Sequence, residues 1–147
     1  MEEFVDNLIA YLDAQFVADD TIATKPEGHY AYEKGLEPTA TTPFYTVELL
    51  DYSTQSETFL EETTISTPFQ INVYGVKMRV SSVLKNAQEV SFILTQKVAK
   101  FMENYKYNTD NVVYMRRTAF TSPIPYEDGS KAYYSVLRYD ATIQENE

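Results

Sequence analysis

The sequence contains no cysteine and no tryptophan, and it has a single histidine, His29, among its 147 residues. Without cysteine the chain cannot form disulfide bonds, thiolate nucleophiles or cysteine-ligated zinc sites. With one histidine it cannot form a cluster of histidine ligands or an HExxH zinc motif. These absences exclude many kinds of catalytic and metal site, and we predict neither a metal ion nor a cofactor.

Glycine and long apolar runs are also scarce. The four glycines, at positions 28, 35, 75 and 129, are too scattered for the glycine-rich loops that bind phosphate. No apolar stretch approaches the ~20 residues that span a bilayer, and Met1-Glu2-Glu3 is unlike the start of a signal peptide. No G-x-S-x-G motif accompanies His29, so a serine triad has no support. We therefore expect no membrane segment, no catalytic residues and no enzymatic activity.

The residues that are present suit one globular domain. Hydrophobic residues make up 44% of the chain and charged residues 23%, at a length typical of a single domain. The 22 acidic and 12 basic residues give a formal net charge of −10, which weighs against a protein that grips nucleic acid.

The negative charge is concentrated in the first part of the chain. Residues 1–62 carry 14 acidic side chains and two lysines, whereas residues 63–147 carry the other 8 acidic side chains and 10 basic ones. Such an imbalance has two interpretations. It keeps a monomer soluble, or it gives neighbouring subunits surfaces of opposite charge.

Hydrophobic periodicity predicts an α+β fold. Apolar residues at helical spacing predict a short helix over 3–16 and a long central helix over about 77–107. Alternating apolar residues predict four strands, over 44–52, 63–75, 112–120 and 131–143. The element order α-β-β-α-β-β predicts a single domain over 1–147, with both helices packed on a mostly antiparallel sheet.

The remaining segments lack a sustained period. We predict an irregular arm or lid over about 17–43, with a short strand near 29–33. Residues 53–62 have the polar composition of an exposed hairpin connection or a flexible loop, and the tail 144–147 is expected to fray.

Several charged and aromatic residues are candidates for contacts between subunits. The 13 tyrosines exceed what one small core can bury, and tyrosine is enriched at interfaces. Arg116-Arg117 is the only adjacent basic pair; its members should face opposite sides of a strand, with at least one near an acidic partner. The predicted interface candidates are Arg116, Arg117, Lys85, Lys97, Lys100, Glu57, Glu61, Glu62, Tyr30 and Tyr32.

The order of elements resembles that of the tail terminator, or tail-completion, proteins of long-tailed bacteriophages. The resemblance rests on the helix at 4–16, the strand at 44–52 and the passage Pro68-Phe69-Gln70-Ile71-Asn72-Val73-Tyr74-Gly75 into the long helix. It also rests on the closing strand pair, with Tyr114-Met115-Arg116-Arg117 in one strand and Val136-Leu137-Arg138-Tyr139 in the other.

This resemblance implies a structural virion protein that is made in the host cytoplasm. Such a protein forms a ring, typically a hexamer, that caps the tail tube and joins the tail to the head. Its partners would be other copies of itself, the tail tube protein and a head-completion or connector protein. Genomic DNA would pass through the lumen without specific binding. The alternatives are another connector or neck protein of the same assembly, an acidic DNA mimic that inhibits a nucleic-acid-binding enzyme and, with least support, a small-ligand enzyme.

Overall fold

Two helices pack against one face of a mixed sheet in the computed structural model. The structure describes residues 2–31, 42–50, 53–57, 62–108, 112–126 and 132–146. The chain is a single α+β domain, and its sheet is mostly antiparallel, as the periodicity predicts. None of the described helices is both long enough and apolar enough to cross a membrane.

The described elements follow the chain in the order helix, seven strands, helix, three strands. They are α1 (Glu2–Val17), β1 (Glu27–Tyr30), β2 (Phe44–Leu49), β3 (Ser53–Glu57), β4 (Glu62–Ser66), β5 (Phe69–Val76), β6 (Met78–Val80), β7 (Val83–Lys85), α2 (Ala87–Asn108), β8 (Val112–Phe120), β9 (Ile124–Pro125) and β10 (Ala132–Asn146).

The long strand β10 organises the sheet. Its first half pairs with β5 and its second half with β4, so the path across the sheet is β1-β2-β5-β10-β4-β3. On its other side β10 pairs with β8 and β9. The pair β1–β2 is parallel, and the other strand pairs are antiparallel.

The core lies between the helices and the sheet. Alternate residues of β2, β5 and β10 face the helices, and apolar residues at helical spacing in α1 and α2 cover them. The largest side chains with less than 2% exposure include Leu8, Leu12, Phe16, Tyr45, Phe69, Ile71, Leu94 and Leu137.

Gly75 allows α2 to lie close to the sheet. A Cβ atom at this position would stand 2.3 Å from the backbone nitrogen of Ser91. The Ser91 hydroxyl donates a hydrogen bond to the Val73 carbonyl at 3.3 Å, on the same strand as Gly75. Two small residues therefore fix the distance between α2 and β5.

The predicted start of the long helix is wrong. Residues 78–85 form the hairpin β6–β7, and α2 begins at Ala87. Ser81 and Ser82 make the tight turn with φ angles of 53° and 65°, and Ile22 bridges to Val80. The apolar spacing through Val80 fits both a helix and a hairpin, because apolar residues also alternate along the strands of a hairpin.

A capping interaction marks the true start of α2. The Asn86 side chain accepts a hydrogen bond from the Glu89 backbone N–H at 2.8 Å. Asparagine followed three residues later by glutamate is a sequence signal for a helix N-terminus. This signal was available in the sequence and contradicts a helix that begins at residue 77.

Three irregular segments are more ordered than the sequence predicts. Within the arm 17–43, the short strand predicted near 29–33 lies at 27–30, where β1 pairs in parallel with β2. Ile22 is buried, and residues 32–41 lie outside the described residues. The polar segment 53–62 contributes β3 and the first residue of β4. At the C-terminus β10 extends to Asn146, through three of the four residues expected to fray.

Candidate functional site

Arg116 and Arg117 lie on β8, whose outer side pairs with no described strand. Arg116 stands opposite Asp140 in the ladder with β10, and Arg117 stands opposite Tyr139. The register therefore places the two arginines on opposite faces of the sheet, and it gives Arg116 an acidic neighbour within the subunit. Both arginines are exposed.

A groove of about 250 Å³ lies between β8 and α2. Glu103, Arg116 and Arg117 are the charged residues among those that line this groove. Tyr139 also lines it, and burial is the main reason that the pKa of Tyr139 lies above its ordinary value. The nearby charge of Arg117 lowers this pKa, and that of Glu103 raises it. The groove thus combines an apolar floor with charges of both signs, and its lining is Ala99, Met102, Glu103, Met115, Arg116, Arg117 and Tyr139.

The candidate lysines differ in how closely acidic residues of the same chain approach them. Lys97 forms an ion pair of 2.7 Å with Asp19, and the two side chains are 25% and 13% exposed. Lys85, the last residue of β7, lies 3.8 Å from Glu89 in the first turn of α2, and an exposed ion pair of this kind contributes little to stability. Lys100 is exposed on α2.

The Asp19–Lys97 pair links the acidic and basic parts of one chain. Burial by itself raises the pKa of Asp19, but hydrogen bonds from Lys97 and Thr21 outweigh that effect and lower the pKa to about 2. Thr21 contributes its hydroxyl at 2.6 Å and its backbone N–H at 2.9 Å. Some of the charge complementarity that we expected between subunits is therefore satisfied within one subunit.

The acidic candidates lie at the other edge of the sheet. Glu57 ends β3 and Glu62 begins β4, at the edge remote from β8. Glu57 pairs with Thr63 in the β3–β4 ladder. Glu61 and Tyr32 lie outside the described residues.

Tyr30 serves a local structural purpose. Its hydroxyl donates a hydrogen bond to the Asp6 carboxylate of α1, and its ring packs against the core. Asp13, about two helical turns further along α1, accepts hydrogen bonds from the Gly28 backbone N–H at 3.0 Å and from the Tyr45 hydroxyl at 2.8 Å. Carboxylates of α1 therefore fasten the helix to β1 and β2.

The outer face of the sheet, turned away from both helices, carries a row of aromatic rings. The Phe44 and Tyr74 rings stack at 4.4 Å, and Tyr74 stacks on Tyr134 at 5.4 Å. Tyr126 contacts both tyrosines edge-on. Burial is the largest cause that raises the pKa of Tyr74 to about 12. The nearby Tyr126, Tyr134 and Glu48 also raise this pKa. The Tyr74 hydroxyl therefore stays protonated at neutral pH. The tyrosine rings of this row offer amphipathic surface.

A chain of polar side chains continues along this outer face. Arg138 donates a hydrogen bond to the side-chain oxygen Oε1 of Gln70 at 2.8 Å. The Gln70 side-chain amide donates to Asn72 Oδ1 at 2.7 Å, and the Asn72 amide donates to the Thr46 hydroxyl at 3.0 Å. A cavity of about 190 Å³ lies beside it and is lined by Ala31, Phe44, Thr46, Glu48, Asn72, Tyr74 and Tyr126. The alternation of polar residues in β2 and β5 was visible in the sequence, but the strand register that joins them was not.

Two comparisons with known sequences found no relative of this chain. No protein-family model matches the chain, and no curated protein matches it. Within the described residues no three His, Asp or Glu side chains lie close enough together to hold a metal ion.

Proposed function

We propose that the protein is a structural subunit that assembles head to tail into a closed ring, typically a hexamer. We further propose that this ring caps a phage tail tube and joins the tail to the head. One ring face would contact the tube protein and the other a head-completion or connector protein. The alternative is that the protein is another connector or neck protein of the same head-tail assembly.

One observation carries the proposal: residues of opposite charge belong to strands at opposite edges of one sheet. The strand β8 carries Arg116 and Arg117 and no acidic residue. The strands β3 and β4 carry Glu57 and Glu62 and no basic residue. Complementary patches at different places on one molecule favour a heterologous contact, which closes into a ring when the rotation permits.

The net charge of −10 is compatible with a channel for DNA. A negative wall repels phosphate, so that DNA passes through the lumen without being held. Three of the 22 acidic residues, Asp6, Asp13 and Asp19, accept hydrogen bonds within the chain and so contribute less to a phosphate-like surface of the kind that a DNA mimic needs. The ring therefore has more support than the inhibitor.

The oligomeric mass tests this proposal. We expect light scattering of the purified protein at low salt to give one closed oligomer, and we expect high salt to weaken it because exposed charges are screened. Mixing with purified tail tubes should place that oligomer at one end of each tube. A strict monomer at high protein concentration and low salt, with no binding to tubes, would contradict the proposal.

A further inference from the structure

The cavity of about 190 Å³ on the outer face of the sheet has a floor of two buried polar residues. Thr46 and Asn72 are 4% and 7% exposed, and they lie opposite each other in the β2–β5 ladder. Glu48, two residues after Thr46 on the same strand, adds a carboxylate at the exposed side of the cavity. We call this cavity the outer-face pocket, and its walls are completed by Ala31, Phe44, Tyr74 and Tyr126.

The polar atoms of the floor leave acceptor positions open. Asn72 Oδ1 accepts a hydrogen bond from the Gln70 side-chain amide at 2.7 Å, and the Thr46 hydroxyl accepts one from the Asn72 amide at 3.0 Å. Because a carbonyl or hydroxyl oxygen has two lone pairs, each of these oxygens can accept one further hydrogen bond. The ionised Glu48 carboxylate is an acceptor only. The outer-face pocket therefore offers a ligand one negative charge and several acceptor atoms.

Aromatic rings form one side of the outer-face pocket. The Tyr74 ring stacks on Phe44 at 4.4 Å, and the Tyr126 ring contacts Tyr74 edge-on at 5.9 Å. Rings in this position keep water away from part of the pocket. A carboxylate attracts a cation more strongly where water is partly excluded, because the effective dielectric constant is lower there.

Arg138 is the basic residue that shares a cross-strand row with Glu48. The row runs from Glu48 through Gln70 to Arg138, so two strand spacings, or ~10 Å, separate the Cα atoms at its ends. The Arg138 guanidinium donates to Gln70 Oε1 at 2.8 Å. Among the described residues no ion pair includes Glu48, and none of the residues that line the pocket is basic. Within this part of the chain, the charge of Glu48 is left for a ligand.

We propose that the outer-face pocket binds the guanidinium group of an arginine side chain from a partner protein. A guanidinium group carries one positive charge, five N–H donors and no acceptor, and its planar fork bonds a carboxylate through two N–H groups. It also packs flat against aromatic rings, whereas an ammonium group is a compact and strongly hydrated point charge. The net charge of −10 attracts a cationic partner at long range. This inference goes beyond the proposed ring and does not depend on it.

A single tryptophan can report the binding, because the natural chain contains none. Tyr126→Trp keeps an aromatic wall and places the fluorescent group at the outer-face pocket. The probe is Nα-acetyl-arginine amide, which reproduces an arginine within a chain. Its control is the neutral Nα-acetyl-citrulline amide at equal ionic strength. We expect the arginine probe to change the tryptophan fluorescence to saturation and the citrulline probe to leave it unchanged.

Two carboxyl variants locate the binding site. Glu48→Gln in the same background should weaken binding of the arginine probe about tenfold or more, because it removes the charged hydrogen-bond partner. Glu103→Gln is the matched control and should bind as the parent does, since Glu103 is an exposed carboxyl on α2, which packs on the opposite face of the sheet. Saturation-transfer NMR of the natural chain is a second measurement that needs no substitution. It should show transfer to the arginine probe and none to the citrulline probe.

Three results would overturn the proposal. The first is equal binding of the arginine and citrulline probes, or no saturation transfer to either of them in the natural chain. The second is an equal loss in Glu48→Gln and Glu103→Gln, which would indicate an effect of overall charge. The third is tighter binding of spermidine than of the arginine probe, which would assign the pocket to free polyamines. A protein that forms no ring but binds the arginine probe as expected would contradict the proposed function and support the pocket.

Discussion

The ion pair between Asp19 and Lys97 gives a quantitative prediction about pH. The Asp19→Asn variant keeps the shape of the side chain and removes its charge. The difference between the ordinary pKa of 3.8 and a pKa of about 2 corresponds to ~2.5 kcal/mol of folding free energy. Because the Lys97 side chain is 25% exposed, screening by solvent reduces the expected loss to about 1–2 kcal/mol at neutral pH.

The sign of the pH dependence follows from the lowered pKa. A carboxylate whose pKa is lower in the folded state than in the unfolded state stabilises the fold fully above the unfolded value. This contribution disappears as the pH falls from about 4 through about 2, where the folded carboxyl also becomes protonated. The difference between the natural chain and Asp19→Asn should therefore shrink over that range.

Urea denaturation at a series of pH values measures this difference. Asp20→Asn is the matched control, because it changes an exposed neighbouring carboxyl, and we expect it to alter the unfolding free energy by less than ~0.5 kcal/mol. No loss of stability in Asp19→Asn at pH 7 would contradict a stabilising ion pair. A loss that stays constant down to pH 2 would contradict it as well.

Three further predictions concern local structure and can be checked by denaturant unfolding. Gly75→Ala should lower the unfolding free energy by about 1–3 kcal/mol, because its Cβ atom would stand 2.3 Å from the Ser91 backbone nitrogen; an unchanged stability would show that α2 moves away freely. Asn86→Ala should cost ~1 kcal/mol through the loss of the N-cap of α2, and an equal loss in Asn86→Asp would argue against capping. Ser82→Gly should raise stability by a few tenths to about 1 kcal/mol, since φ is 65° there, and a destabilised variant would contradict this account of the turn.

The elements with an unbroken period were predictable from the sequence. α1, β2, β8 and β10 lie close to their expected positions, because burial of one face imposes a regular apolar pattern. The single strand predicted over 63–75 is wrong, because the structure divides it at Thr67 and Pro68 into β4 and β5. The hairpin β6–β7 was missed, because Val80, Val83 and Leu84 also fit the spacing of a helix. The capping signal at Asn86 and Glu89 was the information that decided between the two structures.

The candidate surfaces depended on strand order, which the sequence does not specify. The adjacent pair Arg116-Arg117 and the glutamates Glu57 and Glu62 were recognisable as charged residues. Only the sheet topology places them at opposite edges. The aromatic row on the outer face has the same origin, because Phe44, Tyr74 and Tyr134 become neighbours through the registers of β2, β5 and β10.

The shape of the assembled particle tests the central claim most directly. Electron microscopy of the purified protein at low salt should show closed rings of uniform size with an open central channel. Every subunit in such a ring should contact two neighbours through different surfaces. Single separated particles of one chain, or symmetrical dimers with no channel, would contradict the account.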